Sequence, residues 1–172
     1  AIRDLNGLRV GMIGGHAPGF DNLAVNKMAL RKELGVEVVE VGLQALISAA
    51  NAQTVGANTA SSPSNQFDDI SELSETQLNK YDALVAAARD LAANQKFNVL
   101  TIKCWGDLAE QYGIAGCGAV SALTSGGLTT GCEGDVLGAV SMRIGEQLTG
   151  EKAVLMDLVS TDDATNTALF WH

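Results

Sequence analysis

The segment Leu8-Arg9-Val10-Gly11-Met12-Ile13-Gly14 decides the fold of this chain. It is a short apolar run that ends in glycine, which is typical of a strand buried on both faces of a parallel sheet. Outward from it, residues 15–22 form a loop, and residues 23–34 predict a helix ended by Gly35. The alternating, β-branched stretch 36–41 predicts a second strand. A strand, a helix and a strand in this order predict a right-handed crossover between parallel strands.

The rest of the chain continues this alternation. Helices are predicted over residues 43–50, 71–95, 104–112, 119–123 and 135–148, the last ended by Gly150, and strands over 97–102, 128–132, 153–158 and 167–171. The stretch 51–69 has few large apolar side chains and is predicted to be a surface excursion or loop near the site. We therefore expect residues 1–172 to form a single α/β domain, a Rossmann-like three-layer sandwich with a mostly parallel sheet.

Composition limits the function classes. Hydrophobic residues make up 47% of the 172, enough for a full core, and the net charge of −9 is spread along the chain. An acidic chain of this kind argues against nucleic acid or an anionic membrane as partner. No apolar run approaches the roughly 20 residues of a membrane helix, and no signal peptide is recognised.

The three cysteines, Cys104, Cys117 and Cys132, are scattered and form no CxxC pair. A disulfide framework and a structural zinc site are both disfavoured by this spacing. We interpret them as reduced thiols of a cytoplasmic protein, and Cys132 as a core residue rather than a nucleophile.

Polar side chains follow several of the predicted strands. In open parallel sheets, ligands bind beyond the carboxyl ends of the strands, so these side chains can converge on one rim. They are His16, Lys103, Glu133, Asp157 and His172. The glycine-rich stretch around His16 is not GxGxxG, which disfavours a dinucleotide site and favours a tight loop with His16 facing a ligand or a neighbouring subunit. Lys103 is either a substrate contact or a solvated lysine.

Glu133 and Asp157 carry the most specific chemistry. Glu133 lies in a Gly-Cys-Glu-Gly-Asp turn whose glycines leave room for a ligand, and Asp135 is the predicted N-cap of the next helix. Asp157 ends an apolar run and is predicted at the mouth of a buried strand, where an unpaired carboxylate costs several kcal/mol. With His172, the two carboxylates suit a hard divalent cation such as Mn²⁺. A metal or acid–base site and simple capping or solvent-facing acids both stay open.

Four motifs carry a resemblance to a known family: Lys103-Cys104-Trp105, residues 131–139, Asp157-Leu158-Val159, and residues 166–172. They resemble the L-fucose isomerases and the fucose isomerase-like proteins, and more distantly the L-arabinose isomerases. The resemblance implies Mn²⁺-dependent aldose–ketose isomerisation of a pentose or 6-deoxyhexose through a cis-enediol. It implies that Glu133 and Asp157 are metal ligands and acid–base groups and that His172 lies in or beside the metal site.

The resemblance also implies the context of the chain. The chain would be the central domain of a larger three-domain sugar isomerase, inactive by itself, in a cytoplasmic homo-oligomer. His16, Lys103 and Trp105 would contact the sugar, and His16 or Trp105 could serve a neighbouring subunit. The alternative is a non-catalytic sugar-binding or oligomerisation domain of the same fold.

Overall fold

The computed structural model describes residues 5–54 and 62–172, in which strands and helices alternate. The strands are β1 Arg9–Ile13, β2 Glu37–Val41, β3 Val99–Ile102, β4 Thr130–Gly131, β5 Asp157–Asp162 and β6 Thr167–Trp171. The helices are α1 Lys27–Leu34, α2 Leu43–Ala52, α3 Glu75–Gln95, α4 Asp107–Tyr112, α5 Cys117–Ser125 and α6 Val136–Thr149, and two short 3-10 turns cover Asp21–Leu23 and Pro63–Gln66.

Four strands form one parallel sheet in the order β2-β1-β3-β4. Val10 of β1 pairs with Val38 on one side and with Val99 on the other, and Thr101 of β3 pairs with Gly131 of β4. The carboxyl ends of all four strands therefore lie at one edge. Strand β2 lies on one side of β1, and the chain then crosses to β3 on the other side. The crevice of the fold therefore opens between β1 and β3.

Helices cover both faces of the parallel sheet, which confirms the predicted three-layer α/β architecture. Side chains of a strand alternate between the two faces. In β1, Val10 and Met12 pack with Leu30 of α1 in one core cluster, whereas Ile13 packs with Leu84 of α3 in the other. Within the described part of the chain, none of the helices is both long and apolar enough to cross a bilayer.

Local chemistry sets where the helices begin and end. Gly35 and Gly150 take the left-handed conformation at the ends of α1 and α6, as predicted, with φ of 72° and 77°. The Asp135 side chain accepts a hydrogen bond from the Gly138 N–H at 2.8 Å, so it is the N-cap of α6 as predicted. Helix α3 begins at Glu75, later than predicted, because Ser74 forms a reciprocal capping box with Gln77.

Several elements are shorter than their patterns predict, strand β4 and helix α4 among them. Strand β4 spans Thr130–Gly131 only and lies at the edge of the sheet, where the Thr130 N–H donates to the Thr124 hydroxyl at 3.1 Å. Helix α4 begins at Asp107, because Gly106 has a positive φ of 71° that no right-handed helix accommodates.

The last two strands lie outside the parallel sheet, and the predicted strand over 153–158 is wrong for most of its length. Residues 152–156 are not a strand; β5 begins at Asp157 and pairs antiparallel with β6 in a separate two-stranded sheet in which every residue is exposed. The connection between β5 and β6 explains their antiparallel pairing. Asp162 accepts hydrogen bonds from the Ala164 N–H at 2.9 Å and the Thr165 hydroxyl at 2.8 Å, which closes a tight turn. Parallel pairing needs a crossover of a dozen or more residues, so this short turn permits only a hairpin.

The predicted surface excursion over 51–69 is in part a packed segment, although residues 55–61 lie outside the described residues. Ser64 is 1% exposed and Asp82 of α3 is 2% exposed. The Ser64 N–H and hydroxyl both donate to the Asp82 carboxylate, at 2.9 Å and 3.1 Å. This buried pair fastens the 3-10 turn to α3.

Asp82→Ala should lower the free energy of unfolding by about 1–3 kcal/mol, because it leaves the buried Ser64 donors without an acceptor. Urea unfolding followed by circular dichroism measures the change. Asp90→Ala, which removes an exposed carboxylate from the same helix, is the matched control and should stay within about 0.5 kcal/mol. Equal effects of the two substitutions would contradict the anchoring role of Asp82.

Candidate functional site

Two loops at the carboxyl edge of the sheet are held together through their backbones. The Ala17 N–H, after β1, donates to the Glu133 carbonyl, after β4, at 2.9 Å. A Cβ on Gly134 would collide with the Gly15 carbonyl oxygen, so only glycine permits this approach. Glu133 itself has φ of 58°, a left-handed backbone that non-glycine residues rarely adopt. These backbone contacts with the loop after β1 fix the conformation of Glu133 and therefore the direction in which its side chain leaves the backbone.

Glu133, Asp157 and His172 lie within electrostatic reach of one another. The His172 Nδ1 is 3.7 Å from an Asp157 carboxylate oxygen. Burial raises the pKa of Glu133 above its ordinary value, and the negative charge of Asp157 raises it further, whereas His172 lowers it. Asp157 and His172 thus lie side by side, and both are close enough to Glu133 to shift its pKa, but within the described residues the three do not reach the ligand spacing of the thiol group described below.

Asp157 does not have the buried position that the sequence predicted. Its side chain is 69% exposed, and Val154 and Met156 before it are also exposed. The apolar run crosses the rim of a cavity instead of entering the sheet. Burial therefore does not require a partner for the Asp157 carboxylate, which lies in an exposed position close to Glu133 and His172.

The other predicted site residues lie along the same edge with different surroundings. Lys103 follows β3, is 13% exposed, and its ammonium group is 2.5 Å from the Asp107 carboxylate. Trp105 is 61% exposed. His16 is half-buried, and its backbone packs against Gly134. Their contact with a sugar stays a prediction.

A cluster of three thiols lies beside the carboxylates, and the spacing of the cysteines along the chain does not indicate it. The sulfur atoms of Cys104, Cys117 and Cys132 all lie within 4.8 Å of one another, and those of Cys104 and Cys132 are 2.6 Å apart. Cys104 and Cys132 follow the adjacent parallel strands β3 and β4. This shared position after a strand is the feature of the sequence that could have indicated the cluster. Hydrogen bonds with the Cys104 and Cys132 thiols hold the pKa of Cys117 far below its ordinary value. The hydrogen bond with Cys117 raises the pKa of Cys104 to about 11.

A cavity of about 320 Å³ opens next to this cluster. Its wall is formed by α5, α6 and the segment before β5, with Cys117, Thr124, Cys132, Met142, Leu155 and His172 among the lining residues. A mainly apolar wall with a few polar groups is typical of small-molecule sites.

Comparison with known proteins gives a consistent set of relatives, although no family model matches the chain. The chain is 31% identical over 182 residues to the sulfoquinovose isomerase of Alkalicoccus urumqiensis and 29% identical over 187 residues to that of Priestia megaterium. Each alignment covers 99% of this chain but 39% of the relative. A sulfoquinovose isomerase of Clostridium sp. (strain MSTE9) is 37% identical over 103 residues, which cover 58% of this chain and 23% of that relative.

The names of these relatives support an isomerase family without specifying L-fucose isomerase, the branch that the motifs resemble. The chain spans about two fifths of the length of the first relatives. It is therefore similar, along nearly all of its own length, to a part of sulfoquinovose isomerases.

Proposed function

We propose that this chain carries part of the active site of a divalent-metal-dependent aldose–ketose isomerase, as one α/β domain of a larger enzyme. The observation that supports this most directly is the electrostatic coupling of Glu133 to Asp157 and His172, of which the latter two are 3.7 Å apart. The similarity to sulfoquinovose isomerases supports the reaction class. Sulfoquinovose is the first substrate to test, beside pentoses and 6-deoxyhexoses. A cytoplasmic homo-oligomer is the proposed state of the enzyme.

The donor set fits a hard divalent cation such as Mn²⁺. Carboxylate oxygens and an imidazole nitrogen are suitable ligands for it. Glu133 is partly buried and faces the charge of Asp157, and both conditions disfavour its ionised form. A cation between the two carboxylates would offset this repulsion, so Glu133 and Asp157 would hold the ion with His172 beside them. When bound, the cation polarises the carbonyl and hydroxyl oxygens of the open-chain sugar.

The two carboxylates would also move the protons. Aldose–ketose isomerisation transfers one proton between adjacent carbons and one between their oxygens, through a cis-enediol. One carboxylate takes the proton from carbon and returns it to the neighbouring carbon, while the other serves the oxygens. A carboxyl group whose pKa is raised toward the working pH suits such a transfer, and Glu133 has that property.

Three further residues are proposed to bind the sugar from the same edge. His16 lies at the loop contact with Gly134, and Trp105 offers an exposed ring. Lys103 is paired with Asp107, so it would have to exchange this carboxylate for a sugar hydroxyl. The competing hypothesis, a non-catalytic sugar-binding or oligomerisation domain, requires none of this chemistry.

Glu133→Gln should lower turnover by roughly 10²–10⁴-fold in the protein that carries this sequence, because the amide cannot exchange a proton. The assay follows interconversion of sulfoquinovose, pentoses and 6-deoxyhexoses, before and after chelation and with Mn²⁺ added back. Glu110→Gln, an exposed glutamate on α4, is the matched control and should retain activity.

Full activity of Glu133→Gln would contradict the assigned role of this residue. Absence of turnover on every aldose, with and without metal, would favour the non-catalytic domain. Activity that survives chelation would contradict the metal requirement alone.

Stability should depend on pH through Glu133 in the chelated protein. Its pKa in the folded chain is raised, whereas in the unfolded chain it has the ordinary value of about 4.3. Above the folded pKa, the ionised side chain disfavours the folded state, and below the unfolded pKa the effect vanishes. Glu133→Gln should therefore have a higher Tm than the parent at neutral pH, with a difference that closes as the pH falls below about 4.

Thermal unfolding of both proteins at a series of pH values measures this difference. Glu110→Gln should show a small difference that does not change with pH in the same way. A Tm difference for Glu133→Gln that is constant from acid to neutral pH would contradict the raised pKa.

A further inference from the structure

The thiol cluster, defined as Cys104, Cys117 and Cys132, joins three separate elements of the fold. Cys104 follows β3, Cys132 follows β4, and Cys117 is the first residue of α5. Their sulfur atoms lie within 4.8 Å of one another. We propose that the thiol cluster is a binding site for a soft or borderline metal ion such as Zn²⁺, distinct from the carboxylate site.

Close packing of the backbone brings the three residues together. A Cβ on Gly116 would lie 2.8 Å from the Cβ of Cys104, so the absence of a side chain there lets the first turn of α5 contact Cys104 directly. On the other side, pairing of β3 with β4 and a hydrogen bond from the Thr101 hydroxyl to the Cys132 carbonyl, 3.4 Å, position Cys132. The thiols are thus gathered by the framework of the sheet and helix, not by a flexible loop.

The separations suit three ligands of one ion after a small adjustment. Zinc binds thiolate sulfur at about 2.3 Å, and tetrahedral geometry then places the sulfurs about 3.8 Å apart. The three sulfur atoms lie within 4.8 Å of one another, which is compatible with this spacing. The 2.6 Å between the Cys104 and Cys132 sulfurs would have to open by about 1 Å, through rotation of one of the two thiols about its Cα–Cβ bond.

A disulfide is the competing use of such a short contact. It would employ Cys104 and Cys132 and leave Cys117 without a function, although Cys117 is held against both. A three-thiolate metal site employs all three sulfurs. The number of convergent thiols therefore favours the metal ion.

An ion can enter from the cavity. Cys104 and Cys132 are buried, at 8% and 1% exposure, whereas Cys117 is exposed; Cys117 and Cys132 both line the cavity, together with His172. Three protein ligands leave one tetrahedral position, and water can fill it from the cavity side. The ion would be hidden from bulk solvent on one side and accessible on the other.

The two sites should select different ions. Thiolates prefer soft or borderline ions, whereas carboxylates prefer hard ions such as Mn²⁺. The thiol cluster therefore goes beyond the proposed isomerase function and does not depend on it.

Titration of the reduced, chelator-treated chain with Cd²⁺ or Co²⁺ tests the proposal. One equivalent should produce thiolate-to-metal charge-transfer absorption in the near ultraviolet, and bound Zn²⁺ should protect the exposed Cys117 thiol from alkylation. Cys117→Ser, a change at the exposed position, should weaken binding at least ten-fold. Ser121→Ala, on the same helix and in the same cavity wall, and Glu133→Gln should retain the absorption.

The charge-transfer band separates this site from the carboxylate site, which cannot produce it. Absence of the band at saturating Cd²⁺, or an undiminished band in Cys117→Ser, would overturn the proposal. So would a Cys104–Cys132 disulfide found by peptide mapping in protein purified with reductant. Thiol protection is measured on the unsubstituted chain, so the result does not depend on whether the substituted proteins fold.

Discussion

The backbone contact between the loops after β1 and β4 is the constraint on which the site depends. These strands are not neighbours, because β3 lies between them, so the Ala17–Glu133 hydrogen bond and the packing of Gly134 on Gly15 span the width of a strand. The contact also holds Glu133 in a left-handed conformation that costs about 1–3 kcal/mol by itself. Placement of this carboxylate is therefore a property of the whole parallel sheet.

The same turn presents two kinds of donor on consecutive residues. Cys132 is buried and faces the other thiols, while Glu133 is only partly buried and faces Asp157 and His172. The soft thiol of Cys132 and the hard carboxylate of Glu133 thus belong to consecutive residues of one loop but have different neighbours. The two proposed metal sites would therefore be neighbours, with the cavity beside His172 common to both.

The parallel part of the fold could be predicted from the sequence because it rests on local patterns. Buried strands such as 9–13, and the caps Gly35, Asp135 and Gly150, carry their structure in adjacent residues. The hairpin could not be predicted from its apolar pattern, since the Asp162 turn that enforces antiparallel pairing is polar and resembles any loop.

The candidate site could be named from the sequence only in part. Glu133 could be located because it follows a strand and lies between glycines. The thiol cluster depends on the adjacency of β3 and β4 and on the bare backbone of Gly116, which are distant in sequence, and linear spacing carries no information on either.

The exposed β5–β6 hairpin has a consequence for the behaviour of the chain in solution. A two-stranded ribbon has two unpaired edges, and this one displays Leu158, Leu169, Phe170 and Trp171 to solvent. Such edges are templates for strand addition and self-association. The net charge of −9 keeps molecules apart, but added salt screens this repulsion over a Debye length of about 10 Å at 0.1 M. In this chain by itself, the acidic surface therefore opposes self-association through the hairpin edges, and added salt weakens that opposition.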